Sequence, residues 1–372
     1  MKKVLLVSKA LVPPWNDSSK NLARDIAFHC PSVRFHALTV PHYRLGPSNI
    51  REEDLYSRQG ALRNSLWNQT KIFFRLLKPD DIDIAHFFFA PNRNTSRMAA
   101  LAMNMKGTQA SIHTVCSMPE NFDSTSELLF ADITVTVSET ARARFVAHGA
   151  RSVRCIHPGV ALQNAPSKED RKVLRRTFDL PENKLLALYA GDLEFSNAAQ
   201  TLVESLPELM PYKNMDLVFC TRVKTERAKA AAGTLKMRIA ELGAESRVHL
   251  VPPQDDLLPL ISAMDLMILT PDTLYAKMDL PLVLLEAMSL GIPAVLSDLP
   301  SLREAFDDAT AGLFVPHSDA KALAHAILDM FDNEPKRLAY GRAAMDIARE
   351  RFSLERLGRD YEALYREIGG RP

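Results

Sequence analysis

The sequence predicts an α/β protein made of two doubly wound domains, each a parallel sheet covered by helices. Short, continuous apolar runs alternate with longer amphipathic stretches, as expected of parallel strands that are buried on both faces. This alternation occurs twice along 372 residues, a length that suits two domains. Such Rossmann-like sheets bind ligands beyond the carboxyl ends of their strands, so the loops after strands are the places to search for a site.

The apolar runs give the predicted elements in chain order. Strands are predicted at residues 4–7, 33–40, 82–89, 110–115 and 133–137, and then at 185–190, 217–220, 248–251, 266–269 and 294–296. Helices are predicted at residues 21–30, 62–77, 224–242, 282–289 and 354–368. Ser8 and Lys9 interrupt the N-terminal apolar run, which makes a poor signal-peptide core, so we interpret the run as a buried strand.

A polar stretch at residues 165–172 has the composition of a linker, and a short helix is predicted after it at residues 173–178. We therefore expect an N-terminal domain at residues 1–165 and a C-terminal domain at residues 166–351. The last helix, about residues 352–368, is expected to pack back onto the N-terminal domain. Two open sheets that face each other would enclose a cleft, which is a favoured place for small molecules.

Composition excludes several classes of protein. No two of the 14 glycines are separated by a single residue, so neither G-x-G-x-x-G nor the P-loop motif occurs. A net charge of +1 gives no strong field for nucleic acid. The four cysteines form no C-x-x-C pair, so we expect reduced thiols, a cytoplasmic protein and no metal site.

The most informative segment is LYAKMDLPLVLLEAMSLGIPAVLSDLP, at residues 274–300. Pro281 is expected at the first position of a helix and Gly291 at its C-terminal cap. Glu286 is an acid inside a helix that is otherwise apolar on several faces, and a carboxylate there needs a reason. It either contacts a ligand hydroxyl, or lies on an exposed face or caps a neighbouring helix.

The stretch LVLLEAMSLGIPAVLSD resembles the retaining glycosyltransferases of family 4, which have the GT-B fold. The likeness continues at Arg247–Leu250, at Gly312, Leu313 and Val315, at Arg351–Ser353, and in the first half at Val137–Glu139 and His157–Val160. The resemblance implies two Rossmann-like domains that face each other across a cleft and a nucleotide-diphosphate-sugar donor. It also implies a metal-independent hexosyl transfer with retention, to an acceptor that the sequence does not identify.

The family pairs two glutamates as E-x7-E. By resemblance Glu286 matches the second, which holds the ribose hydroxyls, and Leu282 and Val283 belong to the same donor-binding helix. The first glutamate falls on Met278, which cannot accept a hydrogen bond in that way. The resemblance therefore implies that Asp279 or Lys277 faces the sugar.

The donor diphosphate is the second departure from the family. The family's arginine after the glycine that matches Gly191 is Asp192 here, and no lysine follows. Arg222 and Lys224 end the next strand at the same edge of the sheet, so we hypothesise that they hold the diphosphate instead. The alternative is that they form the solvated start of a helix.

In the N-terminal domain, four residues are candidates. Ser18 and Ser19 follow the first strand, where their amides, with the charge of Lys20, could face phosphate at a helix N-terminus capped by Asp17 or Ser18. His113 falls where the family often has a histidine near the reacting sugar. His86 is a weaker candidate of the same kind.

Four further patterns have structural explanations that we prefer. Ser301 and Glu304 have capping-box spacing, with a cleft acid as the alternative. Asp81-Ile82-Asp83 resembles a metal motif but precedes a strand, so we reject it. Residues 87–89 are expected to be buried rather than to bind the acceptor. Helix 62–77 has a basic face, which we interpret as solvated; a peripheral membrane contact is the alternative. Its basic residues are Arg63, Lys71, Arg75 and Lys78, opposite Leu62, Leu66, Phe73 and Leu77.

The leading hypothesis is a retaining glycosyltransferase that uses a nucleotide-sugar. The departures at Met278 and Asp192 motivate a second hypothesis, a non-catalytic GT-B homologue that acts as a binding or regulatory partner. A GT-B epimerase or phosphorylase is a third, less supported by the helix that carries Glu286.

Overall fold

A computed structural model describes residues 1–15, 17–57, 66–107, 109–122, 125–223, 225–307 and 310–368. Its contacts divide the chain into two compact units. Unit 1 comprises Met1–Gly159, Tyr275–Asp279 and Leu354–Pro372, and unit 2 comprises Val160–Leu274 and Leu280–Ser353. Each unit contains one parallel sheet with helices around it, so the predicted fold class is confirmed.

Unit 1 has a seven-stranded sheet and unit 2 a six-stranded sheet. The strands are β1 (Lys3–Val7), β2 (Arg34–Thr39), β3 (Ile50–Asp54), β4 (Ile84–Phe88), β5 (Ala110–Val115), β6 (Ile133–Thr136), β7 (Val153–Cys155), β8 (Leu185–Asp192), β9 (Met215–Arg222), β10 (Val248–Val251), β11 (Leu266–Leu269), β12 (Ala294–Ser297) and β13 (Gly312–Val315). Their orders are β3-β2-β1-β4-β5-β6-β7 and β10-β9-β8-β11-β12-β13.

The helices lie between these strands, apart from the last three, which follow β13 one after another. They are α1 (Ser18–His29), α2 (Leu66–Leu77), α3 (Arg93–Lys106), α4 (Thr125–Leu128), α5 (Glu139–Ala147), α6 (Lys168–Thr177), α7 (Ala198–Glu204), α8 (Leu206–Leu209), α9 (Glu226–Glu241), α10 (Leu258–Ser262), α11 (Leu282–Ser289), α12 (Pro300–Arg303), α13 (Ala320–Asp332), α14 (Glu334–Arg351) and α15 (Leu354–Ile368).

The strands that sequence analysis missed are β3, β7 and β13, which lie at sheet edges. These edge strands are partly solvated, and β3, whose sequence is IREED, carries no continuous apolar run. The five predicted strands of unit 1 occupy the middle of its sheet and its β2 position, where the residues are almost all buried. The apolar runs therefore predict the interior of each sheet, together with the edge strand β10.

Helix α15 belongs to unit 1, where it packs against α1. The two helices approach so closely that a Cβ on Gly358 would lie 2.0 Å from the carbonyl oxygen of His29. Tyr361 and Tyr365, which belong to α15, are fully buried. His86 on β4 bonds the Tyr365 hydroxyl through Nδ1 at 2.7 Å. The end of the chain therefore completes the core of the unit in which the chain begins.

Two predicted helices differ from the structure. Helix α6 begins at Lys168, within the stretch predicted to be a linker, because Ser167 and Asp170 form a capping box that starts the helix there. Helix α2 does not bury Leu66, which is 81% exposed. The predicted residues Leu62 and Arg63 lie outside the described part of the chain.

Candidate functional site

The topology of unit 2 places one crevice at the carboxyl edge of its sheet. The chain runs from β8 outward through β9 to β10, then returns to β11 on the other side of β8. Loops from neighbouring strands diverge at such a switch point, where ligands of doubly wound sheets bind. The loops are joined here by Asn197, whose backbone N–H donates to Oδ1 of Asp272 at 2.9 Å.

Helix α11 follows β11 and carries three of the predicted donor residues. It begins after Pro281, which is the N-cap residue rather than the predicted first helical residue, and no side chain caps it. The N–H groups of its first turn therefore present partial positive charge at Leu282 and Val283. Glu286 lies one turn further along and is half-buried.

Gly291 ends this helix as predicted. Its φ of 71° is in the left-handed region, where a residue without a side chain is preferred. The position of Glu286 on α11 is thus set by a defined start at Pro281 and a defined end at Gly291.

Gly191, Asp192 and Arg222 lie side by side where β8 and β9 end. In the strand register Gly191 pairs with Thr221, and Asp192 pairs with Arg222. Oδ1 of Asp192 accepts from the N–H groups of Glu194 and Phe195, each at 3.1 Å, so the carboxylate organises its own loop. Arg222 is exposed. Lys224 lies outside the described residues.

Several buried polar atoms at this edge have no hydrogen-bond partner in the part of the chain that the structure describes. They include Oγ1 of Thr270, directly after β11, and Oδ1 of Asn197. Buried polar atoms are nearly always paired, so this pair marks a place where a ligand would complete the bonding. Sequence analysis missed both residues, although each follows a strand.

In unit 1, the N-terminus of α1 is occupied by a side chain of the protein itself. Asp17 is the N-cap residue, and its Oδ1 accepts from the N–H of Lys20 at 3.1 Å and from the hydroxyl of Ser19 at 2.7 Å. Burial by itself raises the pKa of Asp17, but Lys9 and these hydrogen bonds outweigh it and lower the pKa to about 2. Ser18 and Ser19 therefore sit beside a fixed negative charge.

Lys20 does not supply the expected charge to this site. Its side chain is buried, and Nζ donates to the carbonyl oxygens of Val12 at 2.8 Å and Pro14 at 2.7 Å. The expectation that Lys20 would face phosphate is therefore wrong, because its ammonium group holds the loop after β1.

Asp279 lies in unit 1, at the carboxyl edge of β5 and β6. It is fully buried; its N–H donates to the carbonyl of Cys116 at 3.2 Å, and its Oδ2 accepts from the hydroxyl of Ser138 at 2.9 Å. Ser138 is also the N-cap residue of α5. Lys277 lies two residues earlier and is half-buried, after Ala276, whose φ of 56° is unusual for a residue other than glycine.

His113 lies inside β5 and is fully buried. Its Nε2 is 3.0 Å from the carbonyl oxygen of Phe89. A carbonyl can only accept, so Nε2 carries the proton and Nδ1 is an acceptor. Nδ1 has no partner among the described residues. Burial lowers the pKa of His113 to about 4, although the bond to Phe89 acts in the opposite direction. The imidazole is therefore neutral at pH 7.

His86 is a structural residue in this fold. Both ring nitrogens are bonded, Nδ1 to Tyr365 and Nε2 to the hydroxyl of Thr114 at 2.7 Å. Phe87 is buried on the same strand, as expected. The predicted capping box is wrong: α12 begins at Pro300 after Leu299, with no side-chain cap, because a proline suits the first helical position and starts the helix before Ser301 can cap it.

The described residues contain no group of three or more His, Cys, Asp or Glu side chains arranged to hold a metal ion. Among the helices that the structure describes, none has both the length and the apolar character needed to cross a bilayer.

The part of the chain that matches a known protein family contains the crevice of unit 2. Residues 170–346 match the family model of the glycosyl transferases group 1. This stretch of the chain is similar to a group 1 glycosyltransferase domain. It includes β8, β9, β11 and α11, so it carries the switch point and Glu286. The predicted enzyme class, a glycosyltransferase, is confirmed at the level of this domain.

Curated relatives match the chain over about half of their own length. A D-inositol 3-phosphate glycosyltransferase of Corynebacterium aurimucosum is 27% identical over 51% of this chain and 45% of the relative. An N-acetyl-alpha-D-glucosaminyl L-malate synthase of Bacillus anthracis is 22% identical over 54% of this chain and 50% of the relative.

Solved structures resemble the whole chain in fold. Anabaena Alr3699/HepE, in complex with UDP and glucose, has a TM-score of 0.76 at 16% identity and covers 98% of this chain and 99% of its own. Sucrose-phosphate synthase from Thermosynechococcus elongatus has a TM-score of 0.79 at 18% identity, over 99% of both chains. With its two parallel sheets, the chain has the predicted GT-B fold.

Proposed function

We propose that the protein is a retaining glycosyltransferase that transfers a hexosyl group from a nucleoside-diphosphate-sugar to an acceptor hydroxyl. The observation that carries the proposal is the switch-point crevice of unit 2, which lies within the stretch that matches the glycosyltransferase family model. The crevice contains the uncapped start of α11, Glu286 and two buried polar atoms that have no partner among the described residues. One structural neighbour was solved in complex with UDP and glucose. This complex supports a nucleotide-sugar as the class of ligand.

Glu286 is assigned the ribose of the donor. A carboxylate accepts two hydrogen bonds, which suits a pair of adjacent hydroxyls. The first-turn N–H groups of Leu282 and Val283 are assigned the diphosphate, because an uncapped helix N-terminus favours an anion.

Arg222 is assigned the leaving diphosphate, with Gly191 giving the backbone room beside it. The charge of Arg222 is set against that of Asp192 on the neighbouring strand, so the arginine contributes less than an isolated cation would. The role proposed for Lys224 rests on the sequence alone. Ser18 and Ser19 are assigned hydrogen bonds to the donor through neutral groups, since Asp17 already holds the negative charge there.

The transfer breaks the bond between the anomeric carbon and the phosphate oxygen and forms a bond to the acceptor oxygen on the same face of the sugar. The departing diphosphate takes the acceptor's proton, so no carboxylate base is required. His113, with Nδ1 as an acceptor, is assigned a sugar hydroxyl, and Lys277 and Asp279 are assigned the sugar-facing segment. No metal ion or other cofactor is part of the proposal.

The proposal is tested by titrating the protein with UDP-, GDP- and ADP-glucose in a calorimeter and following slow release of glucose. We expect one nucleotide-sugar to bind and to be hydrolysed slowly without an acceptor. Glu286→Gln should weaken binding at least tenfold, since a hydrogen bond between charged and neutral groups is worth about 1.5–3 kcal/mol.

Glu334→Gln is the matched control, because Glu334 is an exposed acid in the first turn of α14. It should leave binding unchanged. If none of the three nucleotide-sugars binds the unmodified protein, the transferase is rejected and the chain is a non-catalytic GT-B homologue. Binding without any hydrolysis or transfer would leave a nucleotide-sugar sensor instead.

A further inference from the structure

Asn197 is the residue before α7, but its side chain does not cap that helix. An asparagine at this position usually turns its carboxamide oxygen back to the N–H groups of the first turn, and no such hydrogen bond is present here. Nδ2 donates instead to Oγ of Ser318, at 2.8 Å, in the loop after β13. The side chain of Asn197 is therefore bound to a neighbouring loop rather than to its own helix.

Ser318 makes this bond from a backbone conformation that serine rarely adopts. Its φ is 60°, in the left-handed region, where glycine is the residue without a steric cost. Its hydroxyl also lies 3.3 Å from Nδ1 of His317, so it can donate to that nitrogen while it accepts from Asn197. A glycine would relieve the backbone but would supply no hydroxyl. Strained backbone of this kind concentrates at functional sites, which makes the Ser318 hydroxyl the feature to explain.

The contacts of Asn197 fix its orientation and leave one atom unfilled. Its backbone N–H donates to Oδ1 of Asp272 at 2.9 Å, and Nδ2 is held by Ser318. Its Oδ1 diverges from Nδ2, is buried, and has no partner among the described residues. The hydroxyl of Thr270, a residue that is 1% exposed, is in the same condition two residues before Asp272. Loops after β8, β11 and β13 thus hold an unfilled acceptor at the carboxyl edge of unit 2.

We propose that Asn197, positioned by Ser318, accepts a hydrogen bond from a hydroxyl of the transferred hexosyl group. A carboxamide oxygen only accepts, and so do the oxygens of an ionised diphosphate, so this atom does not bind the phosphates. The ribose hydroxyls are assigned to Glu286, which leaves the sugar hydroxyls as donors. Asn197 also belongs to the loop after Gly191, beside which the leaving diphosphate is assigned, and the sugar is bonded directly to that diphosphate. The inference rests on the proposed function.

The test measures the affinity of the full chain for UDP-glucose and for UDP by calorimetry, or for the GDP or ADP pair if the protein binds that nucleotide. Asn197→Ala should weaken binding of the nucleotide-sugar about three- to tenfold, the range for one hydrogen bond between neutral groups. It should leave the affinity for the nucleoside diphosphate unchanged. Ser318→Gly should act in the same way, because it removes the hydroxyl that orients the carboxamide. The double variant should lose no more than either single one, since the two residues act as a unit.

Thermal unfolding separates positioning from a simple loss of structure. Ser318→Gly relieves the left-handed strain, so Tm should stay unchanged or rise by about 2 °C while the affinity for the nucleotide-sugar falls. Asp179→Gly is the matched control, because Asp179 has a φ of 54° and precedes β8, at the amino edge of the sheet and opposite the crevice. It should leave the affinity for the nucleotide-sugar unchanged.

Each of three results would overturn the inference. An unchanged affinity of either variant for the nucleotide-sugar would mean that an ordered water fills Oδ1 of Asn197. An equal loss for the nucleoside diphosphate would mean that Asn197 contacts the base or the ribose. These two results leave the proposed transferase standing. If the unmodified protein binds none of the three nucleotide-sugars, the transferase and this inference are rejected together.

Discussion

His113 shows how burial sets the protonation state of a side chain. Folding lowers its pKa from 6.5 to about 4, so between these pH values the unfolded chain binds more protons than the folded one. For this group alone, the free energy of unfolding is therefore highest above about pH 6.5 and falls as the pH drops toward about 4. For this group the loss is about 3 kcal/mol. Burial lowers the pKa of His86 as well, which adds to the loss.

Replacing His113 with Phe should flatten this dependence. The apolar ring has no proton to gain, so the free energy of unfolding should fall by about 3 kcal/mol less between about pH 7 and about pH 4 than in the unmodified protein. Urea unfolding at the two pH values measures the difference. His317→Phe is the control, because His317 is exposed. An unchanged pH dependence in His113→Phe would show that the imidazole is hydrated in the folded state.

Ser138 has two tasks, because its hydroxyl caps α5 and also donates to the buried Asp279. Ser138→Ala should therefore destabilise the fold by about 2–3 kcal/mol, the sum of a lost cap and an unsatisfied buried acceptor. Ser167→Ala removes only an exposed cap, that of α6, and should cost about 1 kcal/mol. Chemical unfolding of both variants gives the comparison. Equal losses would mean that water replaces the Ser138 hydroxyl at Asp279.

At the scale of elements, the contact between α1 and α15 depends on one missing side chain. Gly358→Ala would place a methyl group 2.0 Å from a backbone oxygen of α1, and backbone cannot move aside as a side chain can. We expect a loss of about 1–3 kcal/mol. Gly233→Ala on α9 has open space around the new methyl group and should instead stabilise the protein by about 1 kcal/mol. Thermal unfolding distinguishes the two, and a stable Gly358→Ala protein would mean that α15 shifts freely along α1.

The elements also show what sequence reasoning reaches. The interior strands β5 and β11 and the helix α11 were predicted residue by residue. A strand that is buried on both faces has a continuous apolar sequence, and proline and glycine mark the ends of helices. The edge strand β3 was not, because its identity lies in hydrogen bonds to β2 rather than in its own composition. The carboxyl-edge rule located the candidate site, but the link from Asn197 to Asp272 joins residues 75 apart, and a single sequence records no such distance.

At the scale of the whole molecule, unit 1 is assembled from three separate stretches of the chain. A fragment of residues 1–159 lacks α15 and would expose the surface that Tyr361 and Tyr365 cover. We expect it to melt without a cooperative transition, as followed by circular dichroism, and to bind an apolar dye. Joining residues 354–368 to it through a flexible linker should restore part of the cooperativity. A sharp transition in the bare fragment would show that α15 adds nothing to this core.

The place of α15 at the end of the chain also has a consequence in time. A ribosome adds about 5–20 residues per second, so roughly 10–40 seconds pass between synthesis of Gly159 and synthesis of the last helix. Throughout that interval the nascent first half lacks the α15 residue Tyr365, which contacts Phe35 and His86 in the folded protein. Unit 2 can form its sheet meanwhile. The protein therefore finishes its second half first, and its first half is the one that a chaperone would meet.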